Sequence, residues 1–343
     1  MMESKEAKRT SMLAIRLSAL GDVAMTVPAL YSFARQNPNV DVTVLTTPFF
    51  ARLFIDAPAN ISVMPVDLKK DYHGFAGLCR LARRLRKMNF DYVADLHDVL
   101  RSRFIGLWLA LTGSKLATVD KNRRERRRLL SHKATESRRF TDRYCDVFRA
   151  LGFNVNLDFK TIFEQKLPSC PLTLPDKSIG IAPFARYVNK AYPVDMVKQL
   201  VEMLTDRGYH IYLFGGGKEE KKALAEVAAG NPKVMSLAGV YPLEDELAVM
   251  ARLDLMISMD SANQHLASLV GTKVLSIWGS TTPACGFMGY NQPSTSACVA
   301  GLNCQPCTIA GSNECPAGTN YECLRALHPE IIVKKAVKLL GDE

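Results

Sequence analysis

Short runs of apolar and β-branched residues alternate with longer amphipathic segments from the start of the chain. In the first half, this pattern predicts strands at 12–18, 41–47, 61–66 and 92–96. Between the last two, residues 74–88 repeat their leucines at helical spacing. Strands that alternate with helices are typical of a parallel sheet covered on both faces, so we predict a Rossmann-like α/β domain.

The same alternation begins again after a segment punctuated by Pro168, Pro171 and Pro175. The pattern there predicts strands at 178–183, 209–215, 234–238, 255–259 and 273–279, with helices at 194–207, 218–229, 243–253 and 262–270. We therefore predict an N-terminal domain of residues 1–167 and a C-terminal domain of residues 168–343. The two α/β domains are expected to face each other across a ligand-binding cleft, with the last helix as a candidate to pack back on the first domain.

The composition favours a globular protein of the cytoplasm. The chain of 343 residues is 48% hydrophobic and 23% charged, which suits two ordinary domains. Its longest apolar run, 104–111, is far shorter than the ~20 residues that cross a bilayer, and the N-terminus lacks the pattern of a signal peptide. Nine cysteines, an odd number, are expected to be reduced thiols.

Positive charge is concentrated in one part of the chain. Residues 69–149 hold 21 Lys and Arg residues against 9 Asp and Glu residues, whereas the formal net charge of the whole chain is +10. The densest part, 121–128, fits an anionic lipid, a phosphorylated or carboxylated substrate, nucleic acid, or a solvated surface without a partner. Because no aromatic platform or recognised nucleic-acid-binding module accompanies it, we predict no nucleic-acid partner.

In each domain, one motif follows the first predicted strand. Residues 17–23 read Leu-Ser-Ala-Leu-Gly-Asp-Val, which places Asp22 at or near a helix N-terminus facing the cleft. Asp22 is either a functional carboxylate or simply the cap of that helix. In the second domain, the loop 183–193 carries Lys190, whose ammonium group could reach a diphosphate.

Two further motifs lie at later turns from strand to helix. Residues 214–219 read Phe-Gly-Gly-Gly-Lys-Glu, where glycines let a ligand approach the backbone, although the spacing is not that of a P-loop. Residues 256–267 form a strand that ends in Asp260-Ser261 and passes into a helix whose free amides favour a phosphate. Alternatively, one of these two residues caps the helix, and His265 is packed inside the domain.

Taken in order, these four motifs resemble those of the heptosyltransferases, glycosyltransferase family 9, over residues 12–340. The resemblance implies a GT-B fold and an inverting sugar transfer that needs no metal and no other cofactor. It further implies ADP-heptose as the donor and an anionic glycolipid of the lipopolysaccharide core, bearing Kdo or heptose, as the acceptor. Together with the basic segment, it leads us to expect a cytoplasmic enzyme, peripheral on the inner face of the inner membrane.

The resemblance also assigns roles to individual residues. Asp22 matches the catalytic base. The expected donor-binding residues are Gly21, Lys190, Gly215, Gly216, Glu219, Asp260, Ser261, Ala262, Asn263 and His265. The expected acceptor-binding residues, from a shorter match and from the basic segment, are Arg101, Ser102, Arg123, Arg124 and Arg127.

The sequence departs from the family pattern at Ala262, where Gly is usual, and at Tyr192, where Trp is common. Four cysteines near the C-terminus have a spacing that could hold a structural zinc ion, although reduced thiols are the preferred interpretation. They are Cys304, Cys307, Cys315 and Cys323. Two other functions stay open on the same fold: a sugar-nucleotide epimerase, and a non-catalytic protein that binds a nucleotide sugar.

Overall fold

The computed structural model describes residues 9–342. In chain order, its strands are β1 (Thr10–Ile15), β2 (Val40–Thr46), β3 (Ile61–Pro65), β4 (Tyr92–Asp95), β5 (Lys115–Thr118), β6 (Ser178–Ala182), β7 (His210–Leu213), β8 (Val234–Ser236), β9 (Leu255–Met259), β10 (Val274–Trp278) and β11 (Ala297–Val299). Its α-helices are α1 (Leu20–Gln36), α2 (Pro48–Ala51), α3 (Gly74–Arg86), α4 (Leu100–Ala110), α5 (Arg123–Leu130), α6 (Phe140–Ala150), α7 (Val194–Thr205), α8 (Lys218–Ala228), α9 (Leu243–Met250), α10 (Ala262–Leu269), α11 (Glu322–Arg325) and α12 (Pro329–Leu340).

The chain divides into two compact units. The first runs up to Lys121 and includes Thr141–Phe159, and the second consists of Asn122–Phe140 and the chain from Lys160 onward. This division differs from the predicted boundary at residue 167. The segment 122–140 belongs to the second unit because its backbone is bound there: Ser137 N–H donates to the Ala284 carbonyl and Phe140 N–H to the Gly286 carbonyl.

The first unit is built on a five-stranded parallel sheet in the order β3-β2-β1-β4-β5. Strand β1 is central, and its Met12, Leu13, Ala14 and Ile15 are fully buried, as expected for a strand covered on both faces. The strand order reverses between β1 and β4, whose ends are in register at Ile15 and Asp95. Ligands of open α/β sheets bind beside such a reversal, at the carboxyl ends of the strands.

The second unit has a six-stranded parallel sheet in the order β11-β10-β9-β6-β7-β8. Here the order reverses between β6 and β9, so the loops that follow these two strands lie side by side. The last helix, α12, buries Ile332, Val333 and Ala336 in the core of this same unit. It is therefore part of the second unit.

The predicted α/β class with two Rossmann-like domains is confirmed. No helix among residues 9–342 is long and apolar enough to cross a membrane.

Candidate active site

In the first unit, the candidate site is organised by Arg16, the residue that follows β1. Its side chain is only 5% exposed, and its Nη2 atom lies 2.8 Å from Oδ2 of Asp22. The other guanidinium nitrogens donate to the carbonyl groups of Ser18 and Leu96, each at 2.7 Å, and to the hydroxyl of Tyr144 at 3.2 Å. A buried guanidinium with this many partners is fixed in position, and it fixes the carboxylate that it pairs with.

Asp22 is the third residue of α1, and its side chain is 33% exposed. Its Oδ2 atom takes both described contacts, the ion pair with Arg16 and a 3.3 Å hydrogen bond from the Ala19 backbone N–H. The second contact resembles half of a capping box, so Asp22 also stabilises the start of the helix. Within residues 9–342, Oδ1 of Asp22 has no hydrogen-bond donor, which leaves one carboxylate oxygen able to accept a proton. Gly21 precedes it in the first turn of α1.

The turn after β4 forms the neighbouring wall of the site. The Asp95 carboxylate is buried and accepts hydrogen bonds from the backbone N–H groups of His97 and Asp98 and from the hydroxyl of Ser102. Burial raises the pKa of this carboxyl above its usual value. Ser102 was predicted to bind the acceptor, but it is fully buried and holds this turn together instead.

His97 lies between this turn and the end of β1. Its Nδ1 accepts the Leu17 backbone N–H at 3.4 Å, and its Nε2 is 3.3 Å from the Ser18 hydroxyl. Burial, reinforced by the positive charges of Arg16 and Lys121, lowers the pKa of His97 to about 4. The imidazole is therefore neutral at neutral pH, and because Nδ1 is an acceptor we assign its proton to Nε2.

A cavity of about 930 Å³ opens beside His97. Its apolar wall includes Phe49, Phe50, Leu68 and Leu100. The charged part of the wall has two cations, Lys69 and the predicted acceptor residue Arg101, and one carboxylate, Asp67. This combination suits a ligand that joins an apolar or sugar surface to an anionic group.

The other predicted acceptor residues, Arg123, Arg124 and Arg127, are exposed on α5, which belongs to the second unit. Helix α5 is capped by the Asn122 side chain, which accepts the Glu125 N–H at 3.1 Å. Its Arg126 guanidinium lies 5.0 Å from the centre of the Phe140 ring. Three of the arginines thus face solvent on a helix that is anchored at both its cap and its inner side.

In the second unit, the loops after β6 and β9 bring together two oppositely charged residues that were predicted to bind the donor. Nζ of Lys190 lies 2.8 Å from Oδ2 of Asp260, and the two side chains are only 13% and 5% exposed. Asp260 also accepts hydrogen bonds from the Thr281 hydroxyl at 2.6 Å and from the Gln264 amide at 3.1 Å. The ion pair is therefore buried, and the two further hydrogen bonds fix the position of the Asp260 carboxylate.

Several buried polar atoms around this pair have no hydrogen-bond partner within the described chain. They are Oε1 of Gln264, Oγ of Ser280 and Oγ1 of Thr282. Gln264 and Thr281, which lies between the other two, both contact Asp260 directly. Buried polar groups are rarely left unsatisfied, so these atoms mark a place where a polar ligand would complete the hydrogen bonding.

Helix α10 begins beside the pair. Ser261 is its N-cap, but the Ser261 side chain makes no capping hydrogen bond, so Asp260 and Ser261 do not cap the helix through their side chains. Ala262 and Asn263 occupy the first turn and are partly exposed, whereas His265 is buried. The first turn therefore presents backbone amides toward a ligand, and His265 is an interior residue as the alternative interpretation proposed.

The glycine turn after β7 is fixed by a hydrogen bond from its own backbone to a side chain of α8. The backbone N–H of Gly216 donates to Oε2 of Glu220 at 2.7 Å, while the predicted Glu219 is exposed. Gly217 has a φ of 76°, a left-handed conformation that favours glycine. Gly215 is tightly packed, because a Cβ there would lie 2.8 Å from the Leu224 side chain.

Comparison with known proteins decides the family. The sequence model of the family described as glycosyltransferase family 9 (heptosyltransferase) matches residues 78–317. The chain belongs to this family. The chain is also 27% identical over 324 residues to lipopolysaccharide heptosyltransferase 1 of Pseudomonas aeruginosa, covering 86% of this chain and 85% of the relative.

Solved structures of family 9 members have the same fold. A glycosyl transferase family 9 protein from Veillonella parvula superposes with a TM-score of 0.74 at 19% identity, covering 99% of this chain and all of the other. The heptosyltransferase WaaC of E. coli, solved with ADP, gives a TM-score of 0.68 at 18% identity and covers 96% of this chain and all of the other. The predicted GT-B fold is thus confirmed, and the family match confirms the predicted glycosyltransferase class.

The cysteines of this family 9 chain are free thiols. Burial, with the nearby thiols of Cys307, Cys304 and Cys315, raises the pKa of Cys323 to about 11, whereas a hydrogen bond with Thr319 lowers that of Cys315. Across residues 9–342, no three His, Cys, Asp or Glu side chains come together in a way that could hold a metal ion. The zinc alternative thus gains no support from the arrangement of these side chains.

Sequence reasoning missed several residues of both sites. The sequence motifs assigned no role to Arg16, His97 or Thr281. Arg16 could have been found from its charge, because it directly follows the buried residues of β1. A charged residue at such a position needs partners in the interior, and such partners are often functional.

Proposed function

We propose that this chain transfers heptose from ADP-heptose to an anionic lipopolysaccharide-core acceptor, with inversion at the anomeric carbon. The family and the Pseudomonas relative support the sugar and the pathway, and the WaaC structure with ADP supports the nucleotide. The observation that carries the mechanism is the Asp22 carboxylate, held through one oxygen by a buried arginine and open at the other.

In this mechanism, Asp22 accepts the proton of an acceptor hydroxyl as that oxygen attacks the anomeric carbon. Arg16 and the Ala19 N–H orient the carboxylate through Oδ2, so Oδ1 points its lone pairs at the incoming proton. A base that is already oriented loses little entropy in the transition state. His97, neutral and hydrogen-bonded to the adjoining loop, shapes the cavity without adding a competing positive charge.

Lys190 is proposed to stabilise the departing diphosphate, together with amides of the first turn of α10 at Ser261, Ala262 and Asn263. The ammonium group is held by Asp260 until a phosphate oxygen takes its place. The partnerless atoms of Gln264 and Ser280 support a polar ligand beside it. We further propose that the glycine turn at Gly215 and Gly216 lies against the nucleotide.

The acceptor is proposed to occupy the 930 Å³ cavity, with Lys69 and Arg101 contacting its anionic groups. Arg123, Arg124 and Arg127 of α5 add a second positive surface for an acidic glycolipid. A lipid-borne acceptor requires the enzyme to work at a membrane, so we propose a cytoplasmic protein that is peripheral on the inner face of the inner membrane.

The test is an assay of ADP release and of heptose incorporation into a deacylated core acceptor, with the parent and Asp22→Asn. Asparagine still accepts hydrogen bonds from Arg16 and Ala19, so the variant should fold and bind ADP normally. It should lose at least ~100-fold in kcat, because an amide does not accept the proton. The matched control is Asp41→Asn, an exposed carboxylate paired with Arg9 in the same unit, which should be fully active.

The outcomes also separate the competing functions. An epimerase would act on the donor without an acceptor, and a non-catalytic protein would bind ADP without turnover of either substrate. Asp22→Asn turnover within a few-fold of the parent would remove Asp22 from the mechanism.

A further inference from the structure

Helix α4 carries a row of large apolar side chains on the surface of the first unit. Leu100, Leu107 and Leu111 are 87%, 58% and 88% exposed, and Phe104 and Trp108 between them are partly exposed. Their spacing of three or four residues places them along one side of the helix. At 1.5 Å per residue the row is about 16 Å long. Single exposed apolar residues are ordinary, but a continuous row of this length is not.

Helix α3 widens the row into a face. Phe75, at the first turn of α3, is 71% exposed, and its ring packs edge-on against Phe104 with centroids 5.4 Å apart. Phe104 in turn contacts Trp108 at 5.7 Å. The aromatic rings therefore connect the two helices into one apolar surface, the α3–α4 face, which consists of Phe75, Leu100, Phe104, Leu107, Trp108 and Leu111.

The charged side chains on the two helices that form the α3–α4 face have one sign. Neither helix contains an aspartate or a glutamate, whereas both contain exposed arginines. Helical spacing continues the line of Phe75 through Arg83 and Arg86, and Arg101 lies in the first turn of α4 beside Leu100. A surface with an apolar centre and a basic border fits the boundary between the headgroups and acyl chains of an anionic membrane.

We propose that the α3–α4 face docks on an anionic lipid surface and places its leucines among the upper acyl chains. The proposal rests on the proposed function in one respect, namely that the acceptor is a glycolipid. Leu100 belongs both to this face and to the wall of the 930 Å³ cavity, and Arg101, at the border of the face, lines the same cavity. The docked enzyme therefore opens its acceptor cavity at the membrane surface, where the sugar of a lipid-anchored acceptor enters without leaving the bilayer.

The test is flotation of the full-length chain with vesicles of phosphatidylcholine, alone or mixed with phosphatidylglycerol. The variant Leu107→Gln/Leu111→Gln removes two exposed apolar side chains that do not line the 930 Å³ cavity, and it adds no charge. Its partition onto the mixed vesicles should fall at least ~10-fold relative to the parent, which follows from the apolar area withdrawn from the lipid. The control is Met235→Gln/Ile331→Gln, two exposed apolar residues of the second unit, which should bind like the parent.

A second variant tests the charge. Arg83→Gln/Arg86→Gln should lose the preference for phosphatidylglycerol and the weakening of binding by added salt. The proposal is overturned if the leucine variant floats like the parent, or if the control pair loses as much binding. It is also overturned if the leucine variant changes only the oligomeric state in analytical ultracentrifugation, since the face would then contact another copy of the chain.

Heptose transfer to a deacylated acceptor separates this proposal from the proposed function. The leucine variant should retain parental activity on that soluble acceptor and lose activity on the same acceptor presented in anionic vesicles. Loss on both substrates by a folded variant would contradict membrane docking, whereas an inactive parent would instead contradict heptosyl transfer and leave the vesicle measurement intact.

Discussion

The buried ion pair between Lys190 and Asp260 gives the sharpest stability prediction. Lys190→Met removes the ammonium and leaves a carboxylate that is 5% exposed without its cation. Breaking a buried pair by removing one partner costs about 3–5 kcal/mol, because the remaining charge stays desolvated. Asp260 keeps its hydrogen bonds from Thr281 and Gln264, so the expected loss is near the lower limit, about 3 kcal/mol.

The assay is urea unfolding followed by circular dichroism, with ADP affinity measured by calorimetry on the same preparations. The double variant Lys190→Met/Asp260→Asn removes both charges and should recover to within ~1 kcal/mol of the parent. ADP should bind at least ~10-fold more weakly to both variants, because neither has the ammonium group that we propose to bind the diphosphate. Stability and donor binding therefore separate in the double variant.

The matched control is Lys177→Met, which breaks an exposed pair with Asp342 in the same unit. Exposed pairs contribute ~0–1 kcal/mol, so this variant should unfold close to the parent. If Lys190→Met unfolds at the same urea concentration as the control, the buried pair does not form in solution. If the double variant is no more stable than Lys190→Met, the loss came from packing and the electrostatic reasoning is refuted.

Two further predictions concern the first unit. Arg16→Lys should lower kcat by ~10–100-fold through misplacement of Asp22, while ADP affinity measured by calorimetry stays at the parental value; equal losses in both would indicate general misfolding. His97 should destabilise the fold in acid. In the unfolded chain its imidazole has the ordinary pKa of 6.5 and is protonated below that pH, whereas in the folded chain its pKa is about 4 and it stays neutral. Stability should fall by about 2–3 kcal/mol from pH 7 to pH 4.5 through this group, and His97→Gln should show a correspondingly smaller fall in urea unfolding; an identical fall would exclude His97 as its source.

The strands of both sheets were largely predictable from the sequence, because most of their residues are buried. Strands such as β1, β6 and β9 are covered on both faces and therefore read as continuous apolar runs bounded by turns. Strand β5 was missed because it lies at the edge of its sheet, where Leu116 and Ala117 are only partly buried and the flanking residues are exposed. An edge strand of four residues leaves too little pattern to recognise.

The division into units was harder to predict than the elements. Residues 122–140 lie within the basic part of the chain and looked like a continuation of the first domain. What holds them in the second unit is the Phe140 ring, stacked on Phe287 with centroids 4.7 Å apart, and backbone hydrogen bonds to residues 284 and 286. Such contacts join segments that are far apart in sequence, so no local pattern indicates them.

The candidate site shows the same limit. Asp22, Lys190 and Asp260 lie in the segments that come after predicted strands and could be found from motifs. The partners of Arg16 could not, because Leu96 and Tyr144 are 80 and 128 residues away along the chain.

The two ion pairs differ in which partner is accessible, and the difference matches the proposed tasks. In the first unit the cation is buried with four partners, while the Asp22 carboxylate is the partly exposed member, as a base that meets an incoming hydroxyl must be. In the second unit both members are buried, and the task is to receive an anion. When a diphosphate binds the Lys190 ammonium in place of the Asp260 carboxylate, one anionic partner replaces another. The ammonium group therefore always has an anionic partner. Asp260 meanwhile retains the Thr281 and Gln264 donors. Donor binding therefore avoids most of the cost that Lys190→Met would impose, because the carboxylate that is released remains hydrogen-bonded and the phosphate supplies the opposite charge nearby.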